Sequence, residues 1–191
     1  MSNADGARRL VAAATALGAA RGVGALSIQA IAQEAGVSKA LVLYHFTDKT
    51  ALFVALFKQL SEDSTERLRA AAADGDPLEA WRRLLHSEVA SGDLALLGSL
   101  SREAEVRDGA SEAAYRAREG GATVLAGAVV KQLDLRPRVA MALLGCALLR
   151  HIDGMVFRAG SSAAAVGSER ERAAVDAEFD SFALAFLALA G

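Results

Sequence analysis

Residues 26–56 read LSIQAIAQEAGVSKALVLYHFTDKTALFVAL, and this stretch decides the fold. Ser27 stands ahead of Ile28, Ile31, Ala32 and Ala35: a hydroxyl able to cap a helix, then one apolar stripe. Gly36 tolerates the left-handed conformation that ends a helix. Ser38 offers a second cap and opens the run Lys39, Ala40, Leu41, Val42, Leu43, Tyr44, His45, Phe46, which breaks at Thr47 and Asp48. Two short helices joined through Gly36, Val37 and Ser38 have the spacing of a helix-turn-helix. Ala32 allows close approach, Gly36 makes the turn, and Ile31, Val37 and Val42 pack between the helices. An ordinary helical hairpin shares that pattern, so the unburied face of the second helix carries the distinction. With Val42, Leu43 and Phe46 turned inward, Lys39, Ala40, Leu41, Tyr44 and His45 stay on the outer or flanking surface. A helix fits the major groove of DNA, where Ala or Leu touches a thymine methyl and Lys, Tyr or His bonds bases or phosphates. Lys49, just past this helix, is a candidate phosphate anchor.

Helical periodicity continues on both sides. Asp5 to Arg21 carries Leu10, Ala13, Ala14 and Leu17 at helical spacing and stops at Gly22. From Asp48, Leu52, Leu56 and Leu60 recur with Phe53 and Phe57 beside them. A helix of about 25 residues there would be ~37 Å long, enough to leave one domain and enter another. Further helices are expected over 77–91, 93–106 and 110–133, from Pro137 to about Phe157, and from Glu169 to Ala190, with a loop over 160–168. The fold class is all-α. A three-helix helix-turn-helix domain is expected over 5–50, with its motif over 28–47, and a larger helical domain over 51–191.

Composition agrees. The 191 residues are 53% hydrophobic, 23% charged and only 5% aromatic, with 17 Gly and 2 Pro, which excludes global disorder and disfavours a strand-rich sandwich. The net charge of −2 excludes a protein coated in basic surface, although residues 1–50 hold five Lys/Arg against three Asp/Glu and the remainder sixteen against twenty. Cys146 is the one cysteine, so no intramolecular disulfide forms, and a reducing cytoplasm fits. Ser2, Asn3 and Ala4 read as a remnant of expression and are set aside. No uncharged run approaches the ~20 residues that span a bilayer, and no signal peptide opens the chain, so a soluble cytoplasmic protein without membrane contact is expected. No nucleophile elbow, Gly-rich phosphate loop or Cys/His cluster is present. No enzyme activity, metal or cofactor is therefore expected.

The stretch quoted above resembles the DNA-binding domain of the TetR family of bacterial transcriptional regulators, and the resemblance extends over residues 8–57. It implies that Ser27 and Ser38 contact phosphates, that Lys39, Ala40 and Leu41 face bases, and that Tyr44, His45 and Lys49 grip the backbone of double-stranded operator DNA. Leu43 departs from the family, many of whose members carry an aromatic residue there. The resemblance also implies a homodimer, paired through the last two helices, and the family's usual mode as a repressor. A helical small-molecule binding or interaction protein with a non-functional helix-turn-helix is the alternative.

In the last helix Val175, Phe179, Phe182, Phe186 and Leu189 form one apolar stripe. With Val139, Leu143 and Ala147 of the preceding helix, this stripe is the expected dimer interface, burial within one chain being the other reading. Trp81, His86, Tyr115, Met141, Arg150, His151, Met155 and Phe157 are candidates to line a pocket for a small, largely apolar effector. His151 and Asp153 stand two apart, point in different directions on a helix and make a poor metal pair.

Overall fold

The computed structural model describes residues 3–103, 110–160 and 168–190. Every regular element among them is helical. In order they are α1 (Asn3–Arg21), a 3-10 turn (Val23–Ala25), α2 (Ile28–Glu34), α3 (Lys39–His45), α4 (Lys49–Ala72), α5 (Pro77–Ser91), α6 (Asp93–Leu100), α7 (Ala110–Gln132), α8 (Met141–Gly160) and α9 (Glu169–Ala190). No single helix among the described residues is long and apolar enough to cross a membrane. The chain forms two compact units, Met1–Ser61 with Ala95–Ala114, and Glu62–Leu94 with Tyr115–Gly191. The division falls inside α4.

In the first unit the local signals act as read. Ser27 Oγ accepts from the Ala30 N–H at 3.1 Å and Ser38 Oγ from the Leu41 N–H at 3.2 Å, so each hydroxyl satisfies an amide that its short helix leaves open. Gly36 takes φ 65 and the following Val37 N–H returns to the Ala32 carbonyl at 2.9 Å, which closes the turn. Leu10, Ala14, Leu17, Leu26, Ile31, Val42, Leu52 and Leu56 form the core. Most of α6 belongs to this unit: a Cβ at Gly18 of α1 would lie 2.7 Å from Leu96 Cδ2, so a larger residue there would push the Leu96 side chain aside.

The second unit is built around Trp81 of α5, fully buried and ringed edge-on by Phe179, Phe182 and Phe186 of α9 at centroid distances of 5.0, 5.7 and 5.5 Å. Such edge-to-face contacts add to the large apolar area each ring buries. α7 and α8 cross at Gly145, where a Cβ would fall against Thr123 Oγ1 and 2.6 Å from the Thr123 Cα. Two charge clusters sit among these helices. Arg67 of α4 grips the buried Glu88 of α5 with bonds of 2.7 and 3.1 Å. The buried Arg118 of α7 donates to Ser64 at 3.1 Å and to Asp153 at 2.6 Å. Burial pushes the Glu88 carboxyl above its ordinary value, against the pull of Arg67.

Some boundaries differ from the periodicity. α8 begins at Met141, not at Pro137, because the Arg138 N–H donates to the Leu189 carbonyl in the last turn of α9 at 3.3 Å and holds the intervening chain out of the helix. α6 ends at Leu100 rather than continuing to 106. The loop expected over 160–168 lies almost entirely outside the described residues.

Candidate functional site

The helix-turn-helix leaves one face of α3 open. Val42 is fully buried and Phe46 nearly so, while Lys39, Ala40 and Tyr44 are exposed. Leu43, expected to turn inward, is instead exposed: the inward side is filled by Val42 and Phe46, and Leu43 sits on the flank of the open face. His45 is half-buried, its ring lying against α1 where a Cβ at Gly6 would be 2.5 Å from Nε2. Its place is thus set by packing as well as by the outer surface. Ser27 and Ser38 are exposed, and because each Oγ uses a lone pair on a backbone N–H, its O–H proton stays available to an incoming acceptor. Lys49 opens α4 with Nζ 4.7 Å from the Phe53 ring centroid, so its stem covers a buried ring while the ammonium stays at the surface. Donors and cations therefore border an exposed helix face, an arrangement suited to phosphates on either side of a groove.

In the second unit the expected pocket residues divide. Trp81 and His151 come together at a centroid distance of 6.3 Å, and His151 stacks on Phe182 at 3.9 Å with planes 6° apart. Trp81 Nε1 and His151 Nε2 are buried with no hydrogen-bond partner among the described residues. Burial in this aromatic setting pulls the His151 imidazole from 6.5 down to about 4, so it is neutral near pH 7. Met155 is buried nearby in sequence, and Met141 lies beside Gly127. His86 is engaged elsewhere: its Nε2 is 3.0 Å from Asp176 Oδ1, and with Arg82 it holds the Asp176 carboxyl below its ordinary value. Arg150 Nε donates to Cys146 Sγ at 3.3 Å, and burial raises the phenol of Tyr115, which shares the field of Arg150. Phe157 is exposed and lines no interior surface.

The phenylalanine stripe requires a correction. Val175, Phe179 and Phe186 are buried inside their own unit and Phe182 is half-buried against His151, so Trp81 is the partner that the stripe needed. Val139 lies before α8 rather than on it. The outward sides of α8 and α9 instead show Leu143, Leu184 and Leu189 exposed, with Ala177 and Ala188 beside them and Ala147 half-buried. Leu184 was missed because the Phe periodicity drew attention to the other side of its helix.

A capped helix-turn-helix with an exposed second helix, followed by a second all-helical unit, is an architecture in which one reading helix per chain can enter a DNA groove. Residues 10–56 match the family of bacterial regulatory proteins described as the tetR family, so the amino-terminal domain is of that family's type. That match supports a DNA-binding regulator. No curated protein matches it. Among solved structures it is similar to a TetR-family transcriptional regulator from Agrobacterium tumefaciens, with 17% identity, a TM-score of 0.75 and 100% of each chain covered. A TetR-family transcription regulator from Marinobacter aquaeolei VT8 shares 23% identity with a TM-score of 0.61 over 93% of this chain and 95% of that one. The multidrug binding protein EbrR, solved with imidazole, shares 21% identity with a TM-score of 0.54 over 90% and 88%. At these identities the likeness is one of fold.

Proposed function

We propose that the chain is a homodimeric repressor that a small, largely apolar effector releases from operator DNA. The observation carrying the reading is the open face of α3, bordered by Ser27, Ser38, Lys39 and Lys49. In this proposal Ala40, Leu41 and Tyr44 enter the major groove, with His45 at its edge, and the domain that does so is the amino-terminal one. The DNA upstream of its own coding sequence is the operator to try first. A gel shift with that DNA is the test: a sequence-specific, salt-sensitive shift supports it, whereas retardation equal to that of scrambled DNA contradicts it and favours a helical binding protein without DNA function.

Two further observations support the finer parts. The exposed leucines of α8 and α9 with small residues between them suit a twofold pairing of like faces. The aromatic cluster of Trp81, His151 and Phe182, with two buried polar atoms that have no partner among the described residues, suits an apolar molecule carrying a few polar atoms. The fold neighbour EbrR is a multidrug binding protein, in keeping with such a guest. In this proposal the effector changes the spacing of the two reading helices, so half-sites about 34 Å apart are no longer both engaged. Linkage then requires DNA to weaken effector binding by the same factor, of order 5- to 150-fold. Equal effector affinity with and without operator would remove the switch.

A further inference from the structure

We infer that this regulator selects its operator through thymine methyl groups, because the face that α3 turns outward is Ala40, Leu41, Leu43 and Tyr44, with no amide and no charged side chain among them. The inference rests on the DNA-binding reading above and specifies what that surface recognises. Successive residues on a helix are about 100° apart. Val42, with no exposed surface, therefore fixes the inward side. Ala40 and Tyr44, two residues to either side of it, fall opposite, and Leu41 and Leu43 flank them. Their exposures match: 40% for Leu41, 41% for Leu43 and 73% for Tyr44.

Base edges in the major groove are told apart by hydrogen bonds, with one exception. Guanine is read by Arg or Lys, adenine by Asn or Gln, and cytosine by Asp or Glu, while the C5-methyl of thymine is read by apolar contact. Three of the four outward side chains here can do only the last. Tyr44 adds a single hydroxyl. His45, the next residue, is packed against α1 at Gly6. Lys39 is about 100° round the helix from Ala40 and stands beside Ser38 at the border of the face, where phosphates pass. Two exposed leucines on a seven-residue helix are also an apolar surface that water solvates poorly, and thymine methyls are the apolar features a groove offers to cover it. The ammonium groups of Lys39 and Lys49 oppose the charge of the phosphates on either side, the hydroxyls of Ser27 and Ser38 can donate to them, and together they favour DNA as the occupant.

The test uses the full-length protein. Half-sites are first selected from a random duplex library, and thymines of the selected operator are then replaced one at a time by deoxyuridine. This removes the methyl and leaves base pairing and phosphate charge unchanged. Fluorescence anisotropy should show a loss of about fourfold for each contacted methyl, the factor that corresponds to the transfer of one such group. The variant carrying Leu41→Ala with Leu43→Ala, checked for native helicity by circular dichroism, should lose most of the discrimination between the thymine and uracil operators, keeping only what Ala40 and the shorter side chains make. Unchanged affinity after every replacement overturns the inference, as does full discrimination by the double variant. Failure of any sequence to enrich overturns the DNA-binding reading itself, a result distinct from both.

Discussion

Replacing His151 by phenylalanine should flatten the acid side of the protein's stability curve. The imidazole stacks on Phe182, meets the edge of Trp81, and has Glu178 and Arg158 as its charged neighbours; its Nε2 finds no acceptor among the described residues. Its folded-state value of about 4 lies below the ordinary 6.5, so on acidification the unfolded chain takes up the proton first. The contribution is therefore complete above the ordinary value and is lost as pH falls through the window down to the folded one. At ~1.4 kcal/mol per unit the ceiling is ~3 kcal/mol, and partial solvent access reduces it to ~1–2 kcal/mol. Phenylalanine keeps the stack and removes both the titration and the unsatisfied nitrogen, so the variant should match or exceed the parent near pH 7. Urea unfolding followed by the fluorescence of the one tryptophan, the buried Trp81, at pH 7 and 4.5 measures the difference directly. Identical pH dependence in parent and variant would refute the reasoning.

Further expectations concern packing, charge and assembly. Gly145→Ala puts a methyl 2.6 Å from the Thr123 Cα, so α7 and α8 must part, and thermal unfolding should show a loss of ~1–3 kcal/mol; an unchanged melting temperature contradicts the close crossing. Glu88→Ala leaves the guanidinium of Arg67 with only the longer 3.8 Å contact to Asp93 and should cost ~2 kcal/mol in urea titration, below the range for fully buried pairs. The reason for the discount is that the Arg67 side chain is 30% exposed, and Glu88→Leu with Arg67→Met should recover most of the loss. Lys49→Ala should weaken binding to all DNA and reduce the salt slope by about one per protomer, and no change in slope removes its phosphate role. Leu184→Glu should yield folded monomers in sedimentation, whereas Phe182→Glu, which inserts a charge beside Trp81 and His151, should lose native helicity. Folded dimers from Leu184→Glu would move the interface elsewhere.

What was legible in the sequence was local. Ser27, Ser38 and Gly36 act within a few residues of themselves, so caps and turn are written where they operate. Periodicity also located the long helix and the phenylalanine stripe. It says that one side of a helix is covered, not by what, and Trp81 lies nearly a hundred positions from the rings that cover it. The seating of Leu96 on Gly18 and the bond from Arg138 to Leu189 are likewise long-range and leave no nearby signal. Leu43 misled for a different reason: an apolar residue on a helix is normally read as core, and here its exposure belongs to the candidate recognition surface.

The central claim is that α3 brings this chain to specific DNA. It is tested most directly by anisotropy titrations of the selected operator and a scrambled duplex of equal length over a series of salt concentrations. Affinity should fall steeply with salt for both duplexes, with a preference for the operator of about a thousandfold or more. Equal affinity for the two duplexes at every salt concentration would contradict it.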